Sequence, residues 1–94
     1  MKLPSTLDVE VTQAMIDFGS HNCNNCPVAL AMYSAINNVY DLYPRDISVS
    51  GRRIRVYASD THEYFCPPEV SKFVADYDNQ EPVKPFKFST YLLY

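Results

Sequence analysis

"DISVSGRRIRVYAS", residues 46–59, decides how the rest of the chain is read. Ile47 and Val49 alternate with polar neighbours on one arm, and Ile54 and Val56 do so on the other. An apolar residue at every second position gives a strand one buried face and one wet face. Ser50-Gly51 supplies the turn, because glycine enters the backbone conformations that tight hairpins demand. The stretch predicts a β-hairpin with a solvated side, as antiparallel sheets allow. Arg53 and Arg55 share that side, with Arg52 beside the turn.

Outward from the hairpin, "THEYF" (61–65) predicts a third strand and "DVEV" (8–11) a strand near the N-terminus. Thr12 is placed to cap a short helix, "QAMIDF", which Gly19 stops from the position after its last turn. The main helix opens at Cys26-Pro27, since proline suits a first helical turn and forces its predecessor out of the α region. Val28, Met32, Ala35, Ile36 and Val39 then form one apolar stripe, and Asn37-Asn38 marks the end. A second long helix follows Cys66-Pro67-Pro68-Glu69, with Val70, Phe73, Val74 and Tyr77 facing the core and Asp78-Asn79 closing it. In the tail "PVKPFKFSTYLLY", Phe86, Phe88 and Thr90 share a face, and the prolines predict an edge strand or an extended arm. The sum is one α+β domain over 1–94. It is expected to be two-layered, with a mainly antiparallel sheet of about four strands, one main helix, a second helix and a short N-terminal helix.

Composition narrows function. The chain has 94 residues and is 47% hydrophobic, with eight tyrosines and five phenylalanines, which fits one modest core and excludes a disordered chain. Two glycines leave no material for a phosphate-cradling glycine loop. Eight Lys/Arg against eleven Asp/Glu give a net charge of −3, so general nucleic-acid binding is not expected. No apolar run approaches a membrane span, and "MKLPSTLDVEV" lacks the apolar centre of a secretory signal, so a cytoplasmic location is expected. Three cysteines, an odd number, suit a reducing compartment.

The most suggestive chemistry lies in "GSHNCNNCPVALAM" (19–32). Cys23 and Cys26 have zinc-knuckle spacing, and His62 with Cys66 could complete a tetrahedral set. A lone Cys-x-x-Cys with a remote, loose second pair is a weak signal, so zinc stands only as an alternative. A thioredoxin-like dithiol would put its first cysteine at the helix start after a buried parallel strand, whereas here the second cysteine is there. No nucleophile motif surrounds either histidine or any cysteine, so a non-enzymatic protein is expected, with no cofactor. The better reading of the helix start is anion binding. Free N–H groups, with His21, Asn24, Asn25 and Cys26 around them, could hold a phosphate or carboxylate. Arg52, Arg53 and Arg55 would add charge-assisted bonds if the hairpin folds beside the loop.

Three stretches, "VTQAMIDFG" (11–19), "CPVALAM" (26–32) and "FVADYDNQEPVKPFKF" (73–88), resemble in that order segments of small bacteriophage-encoded proteins. In that family a Thr-led helix ends at glycine, a Cys-Pro-(Val/Ile)-Ala-Leu-Ala helix follows, and the tail carries Asp-x-Gly and then Pro-Phe-x-Phe. The resemblance spans both ends but not the hairpin, and Asn79-Gln80 stand where the family's glycine is expected. It transfers no catalytic residue. It implies a setting, an infected bacterial cytoplasm, and with it an accessory protein that neutralises a host factor by binding. The expected partner is a small anionic ligand such as a nucleotide immune signal, enclosed between protomers of a homo-oligomer. Alternatives are a protein–protein inhibitor docking a host protein through "PFKFSTYLLY", and a zinc-stabilised regulator.

Overall fold

The computed structural model describes residues 3–20, 22, 24–37, 43, 46–50, 52–58 and 60–93. In chain order the elements are β1 (Thr6–Val11), α1 (Gln13–Phe18), α2 (Pro27–Asn37), β2 (Ile47–Val49), β3 (Ile54–Ala58), β4 (Asp60–Tyr64), α3 (Pro68–Asp78) and β5 (Phe86–Tyr91). The mixture of helices with antiparallel strands is the expected α+β class. Among the described residues the strands number five and fall into two sheets, β1-β5 and β2-β3-β4, where one sheet of about four was expected.

The hairpin forms where alternation put it, with Ile47 opposite Val56 and Val49 opposite Ile54. Ser50 N–H donates to the Arg53 carbonyl at 2.9 Å, so Ser50 is the last paired residue of its arm and not a turn residue. Gly51 lies outside the described residues. Strand β4 then pairs with β3, placing His62 opposite Val56 and Glu63 opposite Arg55. The chain leaves β4 at Cys66-Pro67-Pro68, where two residues without an amide N–H cannot extend a ladder.

That early exit is why the sheets divide. Strand β5 pairs with β1 along its whole length, from Thr6–Tyr91 to Val11–Phe86. It meets β4 only at one end. Phe65 N–H donates to the Tyr91 carbonyl at 2.9 Å, and Leu93 N–H donates to the Glu63 carbonyl at 2.8 Å. The tail is therefore an edge strand over most of its length, as one of the two expectations had it, and not a loose arm. It lies between β1 and the end of β4, with Phe88 and Thr90 buried.

One core joins these parts. Val9 and Val11 of β1, Phe88 of β5, and Ile47, Ile54, Val56 and Tyr64 of the second sheet bury against Val28, Met32 and Ile36 of α2. Ala29 and Ala31 are buried too, a wider face than the single stripe predicted, because α2 packs on β1, β2 and α1 together. Val39 and Asn38 lie outside the described residues. Helix α3 contributes Val70, Phe73 and Val74, and its Phe73 ring meets Phe86 at 4.9 Å between centroids.

Two helix ends correct the glycine reading. Thr12 caps α1 as expected, its hydroxyl accepting from Met15 N–H at 3.2 Å. Gly19 closes that helix with φ −64° and ψ 161°, an extended conformation open to any residue. Its lack of a side chain matters for another reason: a Cβ there would stand 2.7 Å from Pro27 Cδ and 2.9 Å from the Met15 carbonyl oxygen. At the end of α3, Gln80 adopts φ 61°, the left-handed position that glycine usually fills. Glu81 N–H reaches the Asp76 carbonyl at 2.8 Å and Gln80 N–H the Tyr77 carbonyl at 3.1 Å, so the Schellman turn forms without glycine.

Candidate functional site

The polar loop before α2 is bonded largely to itself. Ser20 N–H donates to the Asn25 carbonyl (3.0 Å), Asn25 N–H to the Asn22 carbonyl (2.9 Å), and Asn24 N–H to Asn22 Oδ1 (3.0 Å). The amide of Asn24 reaches further, donating from Nδ2 to the Ile47 carbonyl at 2.7 Å. That bond covers part of the outer edge of β2, which would otherwise offer its main chain to another strand. Cys26 is only 5% exposed and belongs to the core, while its carbonyl accepts Leu30 N–H at 3.0 Å as an N-cap carbonyl does. Asn25 is exposed and borders an apolar depression with Met15, Phe18 and Leu30. His21 and Cys23 lie outside the described residues.

The three described members of the zinc alternative do not converge. Cys26 is in the core, His62 is half-buried opposite Val56, and Cys66 sits after β4 with its Sγ 3.5 Å from Ser71 Oγ. Burial pushes the Cys66 thiol up, partly offset by that hydroxyl, which favours a neutral thiol over a ligating thiolate. Among the described residues no three His, Cys, Asp or Glu side chains stand close enough to share a metal ion.

The arginines are elsewhere. Ile54, Val56 and Ala58 of β3 face the core, so the alternation turns Arg53, Arg55 and Tyr57 to the opposite side. Helix α2 packs on the core side, and the loop before it ends there. The loop itself reaches the hairpin at the edge of β2, through the bond from Asn24 to the Ile47 carbonyl. Arg55 Nε instead lies 3.8 Å from Glu63 Oε1 across the β3–β4 pair.

Aromatic residues share the arginines' side of the sheet. Register carries a row across the outer face from Ser50 and Arg53 of the hairpin to Phe65 and Tyr91. The Phe65 and Tyr91 rings stack with centroids 5.0 Å apart and planes 11° from parallel. Tyr91 is 47% exposed, and Tyr57 adds a second exposed ring at 42%. Next to this row run Arg55, Glu63 and Leu93. Arg52 and Arg53 are exposed, and among the described residues no carboxylate lies within ion-pair distance of either. The strand alternation already marked Arg53, Arg55 and Tyr57. It could not mark Phe65 and Tyr91, which come from the end of β4 and from β5 and meet only through long-range pairing.

The inner side of the same strands is closed. Tyr64, between Glu63 and Phe65, is fully buried, and its hydroxyl donates to the Pro4 carbonyl at 2.6 Å. Burial raises that phenol to about 12.

Comparison with protein-family models finds no match, and comparisons with curated proteins and with solved structures find none either. Among the described residues no helix is long and apolar enough to cross a membrane.

Proposed function

We propose that this protein acts by binding and not by catalysis, and that it takes a nucleotide ligand on the open face of its sheets. The observation that carries the reading is the Phe65–Tyr91 stack in line with Arg53 on a solvent-facing sheet surface. An exposed ring offers a π-face to a base, and nearby guanidinium groups suit a phosphate. Tyr91 would stack the base, Arg53 and Arg52 would hold phosphate, and Arg55, already facing Glu63, would contribute less. The reading takes the helices as one layer behind the sheets, leaving the other face free.

Magnitudes bear on oligomeric state. One stacked base gives about 1–3 kcal/mol, and each charge-assisted bond about 1.5–3 kcal/mol. Immobilising a ligand costs at least about 4 kcal/mol. A single face would thus hold a nucleotide weakly, and two faces of a homo-oligomer closing on one ligand would hold it well. In the bacteriophage setting that the sequence resemblance implies, the ligand is a nucleotide signal of the host's defence, and the effect is to sequester it.

Isothermal titration against cyclic, linear and ADP-ribose-derived nucleotides tests this, with sedimentation in parallel for assembly. Binding that disappears in Arg53→Ala and Tyr91→Ala, with both variants folded, is the expected result. Silence across the panel removes the small-molecule reading.

A further inference from the structure

We infer that the outer face of α1 and α2, centred on Phe18, is the surface through which two copies of this chain pair about a two-fold axis. The inference is independent of the nucleotide reading and concerns a different surface, on the helical side of the molecule.

Charge is nearly absent from this side. The sequence has no lysine or arginine between Lys2 and Arg45, and from Gln13 to Asn37 its one formal charge is Asp17. Gln13 Nε2 donates to Asp17 Oδ1 at 3.0 Å, so that carboxylate is engaged within its own helix. Among the described residues α2 is the one helix without a charged side chain, and its outward positions are Leu30, Tyr33, Ser34 and Asn37. Helix α3 shows how a water-facing helix of this chain is made, for it turns Glu69, Lys72 and Asp78 outward. Protein interfaces lose charge at their centre and gain aromatic residues and methionine.

Phe18 stands in the middle of this region. At 86% it is the most exposed large hydrophobic side chain among the described residues. Directly beside it lies an apolar depression of about 430 Å³, walled by Ala14, Met15, Leu30 and the Phe18 ring itself. A knob and a hole on one patch are what a two-fold contact needs, because such a contact joins a surface to itself. Rotating a second copy onto the first puts each Phe18 ring into the other's depression, against Met15 and Leu30, with the two rings packed on each other. No like charges meet at that centre, since Asp17 lies about 100° around α1 from Phe18. A strongly charged partner finds no counter-charge on this patch, so a second copy is the occupant its chemistry fits. Each ring buries about 150–250 Å². With their surroundings the two make a small contact, below about 1,200 Å², of the transient kind.

Sedimentation of the full chain from about 10 µM to about 1 mM tests this, a range suited to a transient contact. The expected result is a reversible monomer–dimer equilibrium within that range. In a mixture of isotope-labelled and unlabelled protein, nuclear Overhauser contacts should run from the Phe18 ring of one copy to the Met15 and Leu30 methyls of the other. Phe18→Asp removes the knob at an exposed position, so it should fold and weaken dimerisation at least about tenfold. Should it fail to fold, Ala14→Arg, at an exposed edge of the depression, reads the same contact and should weaken it likewise. Tyr91→Ala, on the sheet face, should dimerise as the unaltered protein does, whether or not it takes nucleotide. A protein still monomeric at about 1 mM, association unchanged in the variant that folds, association lost in a folded Tyr91→Ala, or no contact between copies at Phe18 would each overturn the assignment.

Discussion

The loop before α2 and the outer face of β3, β4 and β5 are both polar surfaces rich in side chains that could recognise an anion, yet they are built for different ends. In the loop, Ser20, Asn22, Asn24 and Asn25 satisfy one another and the edge of β2. On the sheet face, Arg53, Tyr57 and Tyr91 extend from strands whose main chains are already paired, so their side chains are not needed to hold the backbone. The difference teaches that a dense run of asparagine and cysteine can be the chemistry of a joint. A plain alternation of arginine with apolar residues can leave the more available surface.

If the joint is structural, damage to it must be costly, and Gly19→Ala is the sharpest probe. The new Cβ would meet the Pro27 ring and the Met15 carbonyl below 3.0 Å, and neither is a flexible side-chain end. Overpacking of this kind costs about 1–3 kcal/mol, and we expect the upper half of that range by urea denaturation. A loss under 0.5 kcal/mol would show that the α1–α2 contact yields easily.

The two faces of β4 give the next largest effect. Tyr64 has its phenol raised from 10.0 to about 12, so its neutral form is favoured in the folded state. The stability this provides is complete below pH 10 and is lost as pH rises from 10 toward 12, about 2–3 kcal/mol in all. Denaturation curves across that window should show the loss in the unaltered protein and not in Tyr64→Phe, which instead starts less stable at pH 7 by the missing bond to Pro4. An alkaline loss of equal size in both would place its origin elsewhere.

Asn24→Ala comes third. It removes the bond to Ile47, at a cost of about 1 kcal/mol, and uncovers the β2 edge. Stability should fall and nucleotide titration should not change. If the variant loses nucleotide while keeping its fold, the loop is a site after all. Gln80→Gly, outside both regions, serves as a control of opposite sign. Glycine at φ 61° relieves a strained position, and a gain of about 0.5–1 kcal/mol in thermal or urea unfolding is expected. Arg53→Ala should be the quietest in stability, within about 0.5 kcal/mol, while removing phosphate recognition on the sheet face. A folded Arg53→Ala that still titrates as the unaltered protein would break the comparison from the other side.

Much of the fold was legible in the residues themselves. Thr12, Cys26-Pro27 and Pro67-Pro68 mark helix starts because each acts within one turn of its own position. The alternations around Ile47–Val56 and Phe86–Thr90 mark strands because a strand's faces repeat every second residue. The candidate site was legible only in half. Arg53 and Arg55 could be put on a solvated face, but their partners could not be chosen. His21 and Cys23 lie outside the described residues, and Cys26, His62 and Cys66 went to separate surroundings although their spacing invited a metal.

What the sequence by itself determined is the list of elements and the side of each that must be dry, since propensity, capping and hydrophobic period are local properties. What only the tertiary structure decided is which strands are neighbours. Strand β5 joined β1 and touched β4 only past Tyr64, because its pairing depends on burial of Phe88 and Thr90 and on where prolines end β4. That long-range choice brought Tyr91 onto Phe65, and among the described residues it left the edge at Lys87 and Ser89 without a strand.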